Sequence, residues 1–168
     1  MTADPQRILS VQNLTFAYKS GKQILQEVNL DIKAGNLMAI LGVNGCGKST
    51  LLSCLDAILI PQSGAIKLDK IDLHSMSKEQ RAKKIAYVPQ HSHANGVLVY
   101  DAILLGRLPY IKAAPSQKDY EVVERIIKEL NLEDLAMRYL DEISGGEYQK
   151  VLIARALAQE TDFLLLDE

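Results

Sequence analysis

No stretch constrains this chain more than Gly42-Val43-Asn44-Gly45-Cys46-Gly47-Lys48-Ser49-Thr50. It fits the pattern G-x-x-x-x-G-K-[ST] in full, and its flanks are those the pattern requires. Ahead of it runs Leu37-Met38-Ala39-Ile40-Leu41, a short apolar segment that predicts a buried strand. Behind it, Leu51, Leu52 and Leu55 give one apolar face to a helix opening at Lys48. Strand, glycine-rich loop and helix make a phosphate cradle. Glycines let backbone N–H groups turn inward without Cβ obstruction, and the helix N-terminus adds partial positive charge. In such a cradle Lys48 reaches the β- and γ-phosphates of a nucleotide and the Ser49 hydroxyl ligates Mg²⁺.

Bulk properties narrow the setting. At 168 residues, 48% hydrophobic and 24% charged, the chain reads as one globular domain with a sizeable core. Nineteen basic against twenty-one acidic side chains leave a net charge of −2, which gives no electrostatic case for nucleic acid. Cys46 and Cys54 lack metal-ligand spacing and read as reduced thiols. The start is polar without a signal-type apolar run, and the most apolar stretch, Leu51 to Ile60, contains Asp56. These features describe a cytosolic protein.

Along the chain, Ile8–Val11, Leu14–Tyr18 and Val28–Ile32 predict strands, with a turn at Lys19–Lys22. Ala65–Asp69 and Ile85–Val88 predict two more, and Ser77–Lys84 a short polar helix. From Tyr100 to Leu140 the pattern turns helical. Its clearest helix, Lys118–Leu130, has a capping-box start at Ser116 and Asp119 and a face of Tyr120, Val123, Ile127 and Leu130. Glu121 with Arg125 and Glu124 with Lys128 are spaced to pair on its outer side.

Two later stretches carry chemistry. Phe163-Leu164-Leu165-Leu166-Asp167-Glu168 predicts a buried strand ending in two carboxylates, and such ends face the ligand crevice of open α/β sheets. Asp167 is placed to hold Mg²⁺, and Glu168 to orient or deprotonate an attacking water. In Ile143-Ser144-Gly145-Gly146-Glu147-Tyr148-Gln149, Ser144 and Glu147 form a capping box for the helix running to Ala158. That accounts for the serine and the glutamate but not for Gly145 and Gly146, each costing about 1 kcal/mol against alanine inside a helix. A second phosphate contact is the other reading of this turn, and a capped N-terminus can serve both.

In order, the phosphate loop, Gln90, Ile143–Glu147 and Asp167-Glu168 resemble the ATPase subunit of ATP-binding-cassette (ABC) transporters. The resemblance covers essentially the whole chain, and the Ser-Gly-Gly turn sets it apart from other phosphate-loop proteins. It implies an α/β fold: a P-loop NTPase (RecA-like) core, an N-terminal antiparallel β subdomain and a helical signature subdomain at about 91–158, all within one ATP-binding domain over 1–168. It implies ATP and Mg²⁺ as ligands and a head-to-tail homodimer with two ATP molecules between protomers. An integral-membrane permease and, indirectly, a periplasmic or extracellular substrate-binding protein are the further partners. The subunit would sit in the cytoplasm, peripheral on the inner face of the membrane.

By the same resemblance Tyr18 corresponds to the aromatic that stacks on adenine. Gln90 corresponds to the glutamine that senses Mg²⁺ and the γ-phosphate. Ser144, Gly145 and Gly146 would meet the γ-phosphate held by the other protomer. Glu147 stands where glutamine is more frequent, and Ile143 where leucine is. His91-Ser92-His93 and Val99 to Tyr110, above all Gly106-Arg107-Leu108-Pro109-Tyr110, are similar to importers of iron chelates, haem and vitamin B12. Without further ligands nearby, the two histidines read as solvated rather than metal-binding.

The family's segment beyond the catalytic glutamate, with its switch histidine, has no counterpart before Glu168, so the domain reads as C-terminally truncated. Two rival readings are a soluble ABC ATPase uncoupled from transport and an inert nucleotide-binding module. The first would carry long heptads or a second cassette between or beside these motifs, and neither is visible.

Overall fold

The computed structural model describes residues 7–19, 21–90 and 95–167. Glu168, His91 and His93 lie outside the described residues. The chain divides into two compact units, residues 1–81 with Asp167, and residues 82–166.

In the first unit, alternating apolar residues build an antiparallel sheet. Its strands are β1 (Ile8–Ala17), β2 (Gln23–Lys33), β3 (Ser63–Leu68) and the short β4 (Ile71–Asp72), in the order β2-β1-β3-β4. The two strands expected at Ile8–Val11 and Leu14–Tyr18 are a single one. Leu9 and Val11 are buried, then Leu14 and Phe16, so the inward pattern slips by one residue between them. A bulge absorbs the slip, with Asn13 at φ 49° and a register shift between Val11 and Leu14. An extra residue in one strand keeps both halves facing the same core. Leu25, Ile66, Leu68 and Leu73 complete this core, and helix α1 (Lys48–Leu55) buries Leu51, Leu52, Cys54 and Leu55. The short helix α2 (Lys78–Ala82) follows a 3-10 turn at Leu73–Ser75.

One expectation fails here. Residues 37–41 form no strand, and Leu37 and Leu41 are 98% and 90% exposed. A parallel strand is buried by its neighbours on both edges. Among the described residues no strand pairs with this segment, so its apolar pattern alone cannot hold it extended.

The second unit pairs β5 (Ile85–Val88) with β6 (Phe163–Leu166) in parallel, Ile85 opposite Phe163 and Val88 opposite Leu166. The connection between them carries α3 (Val99–Leu104), α4 (Gln117–Glu129) and α5 (Gly145–Ala158). The sequence predicts β6 as a buried strand. Phe163 and Leu165 are buried, but Leu164 and Leu166 are exposed, because only β5 lies beside it among the described residues.

The helices share a core of Val99, Ile103, Val123, Ile127, Val151 and Ala154, to which further apolar residues add. Leu152 and Ala156, on another face of α5, pack on Ala86 and Val88 of β5. Helix α4 starts from its capping box at Ser116 and Asp119, within a residue of the expected start. Its buried face is Asp119, Val122, Val123, Ile126 and Ile127, a rotation that leaves Tyr120 exposed. The expected Glu121–Arg125 pair does not form. Arg125 reaches Glu129 at 3.4 Å through Nη1 and Glu160 at 2.9 Å through Nη2 instead. No helix among the described residues is long and apolar enough to cross a membrane.

The tightest joint lies between α5 and the 3-10 turn Leu105–Arg107, where a Cβ on Gly106 would strike the Arg155 carbonyl. Backbone atoms cannot swing aside as a flexible side chain can. Gly106→Ala should therefore destabilise the protein by about 1–3 kcal/mol, the usual cost of overpacking, read as a lower urea midpoint.

Candidate functional site

The loop 42–47 leaves its first helix open to an anion. Gly47 takes φ 105°, and a Cβ there would come within 2.9 Å of Ile24 Cγ2 and 3.1 Å of Leu25 Cδ2 on β2. Only glycine satisfies both the left-handed backbone and this close approach. Helix α1 then opens at Lys48 with no side-chain cap and no acidic residue in its first turn. Such an uncapped start presents leading amides and the dipole's positive end to an anion. Gly42 to Cys46 are exposed.

Three hydroxyls and two charged groups surround this turn. The Lys48 ammonium donates to the carbonyls of Gly42 at 3.0 Å and Val43 at 3.3 Å, folding back over the loop. The Ser49 hydroxyl donates to Asp167 Oδ1 at 2.9 Å. Asp167 follows β6 directly and is 5% exposed. Thr50 is buried, and its hydroxyl lies 3.3 Å from the Tyr18 hydroxyl. Tyr18 stands edge-on to Phe16, ring centres 5.0 Å apart, and is 47% exposed. So Tyr18, Lys48, Ser49, Thr50 and Asp167 come together within one unit. A hydroxyl and a carboxylate 2.9 Å apart are hard oxygen donors. Such a pair suits Mg²⁺, which takes one or two protein oxygens and completes its shell with water and phosphate.

Gln90, Ser144, Gly145 and Gly146 belong to the second unit. Gln90 lies two residues past the end of β5 and is exposed. Ser144 caps α5: its amide and hydroxyl donate to Glu147 Oε2 at 2.8 and 2.7 Å, and its oxygen accepts from the Glu147 amide at 3.4 Å. The Ser144 hydroxyl, then its amide, hold the Glu147 carboxyl below the usual carboxylate range. Gly145 and Gly146 show no left-handed backbone, and a Cβ on either would meet open space. The fold does not need glycine at these positions. As first-turn residues their amides have no intrahelical acceptor.

The family model for ABC transporters matches residues 25–168. The chain belongs to the ABC transporter family. An ABC transporter ATP-binding protein of Methanocaldococcus jannaschii is 52% identical over 161 residues, covering 96% of this chain and 63% of that protein. An iron(3+)-hydroxamate import ATP-binding protein of Bacillus subtilis is 34% identical over 163 residues, covering 95% of this chain and 60% of its own. Among solved structures, a dimeric bacterial ABC transporter cassette superposes with a TM-score of 0.82 at 28% identity, over 95% of this chain and 73% of that one. The chain thus spans about three-fifths of the length of these two relatives.

Two features of this ABC chain's site had no clear signal in the sequence. The Tyr18–Thr50 hydroxyl pair joins residues 32 apart. At the far end of α1, Asp56 is largely buried, and burial pushes its carboxyl up to about 6 against the opposing pull of Arg81. Its position one residue past α1, at the negative end of the helix dipole, was the available hint.

Below pH 3.8 Asp56 is protonated folded or unfolded, and up to about pH 6 only the folded state keeps the proton. Its contribution to stability therefore falls as pH rises through that window, since the folded state binds more protons there. Asp56→Asn should raise stability at pH 7.5 and make no difference below pH 4, as thermal melts at the two pH values would show. The thiols should also separate. Burial pushes Cys54 up to about 11, whereas Cys46 is exposed in the loop. Iodoacetamide at pH 8 should label Cys46 alone in the folded protein and Cys54 only in denaturant, as peptide mass mapping would show.

Proposed function

We propose that this chain is the ATP-binding and hydrolysing part of an ABC importer that takes up a metal chelate such as a ferric siderophore, haem or cobalamin. The observation that carries the reading is the uncapped start of α1, with Lys48 beside it and Ser49 bonded to the buried Asp167. A triphosphate meets every demand such a turn makes: negative charge for the amides and Lys48, and oxygens to share a cation with Ser49 and Asp167.

Each residue then has a task. The amides of Gly45 to Thr50 hold the β- and γ-phosphates, while Lys48 leaves the Gly42 and Val43 carbonyls to bond them. Tyr18 offers its exposed ring to adenine. Ser49 Oγ and Asp167 hold Mg²⁺, which when bound neutralises charge building on the phosphates. Gln90 senses Mg²⁺ and the γ-phosphate, and Glu168 directs water for in-line attack as the base. Ser144, Gly145 and Gly146 of a second protomer, arranged head to tail, bond the γ-phosphate from outside, and those two glycines keep their amides approachable. The dimer opens after hydrolysis, and a permease reads the change from the cytoplasmic face of the membrane.

The iron-hydroxamate relative and the dimeric cassette support the importer and the pairing. Residues 1–168 would then form one ATP-binding domain, with its helical part at about 91–158.

Lys48→Ala should weaken binding of a fluorescent ATP analogue by roughly ten- to a hundred-fold, the worth of a charge-assisted bond of about 1.5–3 kcal/mol. Glu168→Gln should keep that binding and stop phosphate release. Parent-rate hydrolysis in Glu168→Gln would remove Glu168 from the base role. Unchanged affinity in Lys48→Ala would refute the loop as the nucleotide site.

A further inference from the structure

The run Gly106-Arg107-Leu108-Pro109-Tyr110 has no part in the chemistry above, yet it holds a guanidinium only 2% exposed. Arg107 Nε donates to Asp119 Oδ1 at 3.0 Å, and Nη1 to the Ala158 carbonyl at 2.7 Å and Glu160 Oε2 at 2.9 Å. Its Cζ lies 4.2 Å from the centre of the Tyr110 ring, whose hydroxyl donates to the Gln159 carbonyl at 3.0 Å. Glu160 is held in turn by Arg125 of α4. On the α5 side the partners are Ala158, Gln159 and Glu160, with Gly106 pressed on Arg155. All lie in the last turn of α5 or just beyond it.

On the α4 side the partner is Asp119, whose other oxygen accepts from the Ser116 amide and hydroxyl at 2.9 and 2.6 Å. One side chain thus binds the first turn of α4 to the last turn of α5. A cation at a helix C-terminus answers orphan carbonyls and the dipole's negative end. A pair this deeply buried adds little stability over apolar packing, and the use it can have is a single fixed geometry. The planar fork of arginine supplies that, where lysine would offer a swivelling point charge.

The other end of α5 carries Ser144, Gly145 and Gly146. A helix of this length is about 21 Å long, so a tilt of ~10° about its C-terminal joint moves the first turn by about 4 Å. That exceeds the tolerance of a hydrogen bond. We propose that Arg107 is a positioning residue for the second protomer's ATP, fixing α5 at its C-terminal end so that the Ser144-Gly145-Gly146 turn stands where that nucleotide's γ-phosphate needs it. This rests on the head-to-tail reading given above.

The test compares parent, Arg107→Lys and Arg107→Met/Asp119→Asn in the full chain. The double variant leaves no unpaired charge, since Glu160 keeps Arg125 and the introduced side-chain amide still offers Ser116 a carbonyl acceptor. For each, thermal unfolding, affinity for a fluorescent ATP analogue and dimerisation with a non-hydrolysable ATP analogue and Mg²⁺ are measured, the last by sedimentation. We expect the variants to fold and to bind the analogue within about twofold of parent. Dimerisation should weaken at least tenfold, about 1.4 kcal/mol, with Arg107→Lys showing the same split if the double variant melts early. Folded variants that dimerise as parent does overturn the inference alone. So does an equal loss of nucleotide affinity and dimerisation, which marks a merely structural role. A parent that stays monomeric overturns the head-to-tail reading and this inference together.

Discussion

A helix that starts without a cap leaves amides and partial positive charge unanswered, and the first unit is arranged around one such helix. Gly47 brings the chain into α1 through a backbone region closed to other residues, against side chains of β2 that leave no room for a Cβ. Nothing acidic follows in the first turn. The chain offers its own stand-ins instead: loop carbonyls for Lys48, a carboxylate for Ser49 and a tyrosine hydroxyl for Thr50. Each is a bond to which a phosphate, a cation or a base can succeed. The side chains of Lys48, Ser49 and Thr50 are therefore held in place before any ligand arrives, which lowers the ordering cost of binding.

The second unit solves a different problem with similar means. Helix α5 is apolar on more than one side, because it packs on α3 and α4 and also on β5. A helix so enclosed is located by its neighbours, and small residues at the contacts decide how near they come. Gly106 on the Arg155 backbone and Ala154 and Ala158 in the helical core set that distance. Arg107 then adds direction to a contact that apolar packing would leave free to slide. At the opposite end, Ser144 and Glu147 cap the helix reciprocally while Gly145 and Gly146 leave the backbone bare.

Much of this was legible in the residues, where the signal is local. The glycine loop, the start of α4 at Ser116, the capping of α5 by Ser144 and the pairing segments Ile85–Val88 and Phe163–Leu166 all follow from short-range patterns. Local patterns mislead where a neighbour intervenes. Ile8–Ala17 looked like two strands because a bulge breaks the alternation without breaking the strand. Tyr120 looked inward because the face of α4 is set by where α3 and α5 lie. Arg125 chose Glu160, 35 residues away, over Glu121 on its own helix.

By itself the sequence determined the glycine-rich loop and the capped turns, because each depends on residues within a turn or two of one another, and the order of these motifs along the chain carried the family. Only tertiary structure decided that Ser49 meets a carboxylate 118 residues later and that Gly106 and Arg107 form a buried joint. It also decided that segment 37–41 has no ladder among the described residues. The reason is the same in all three. Burial and pairing belong to contacts between distant segments, and a strand or a buried charge exists only when its partner is present to satisfy it.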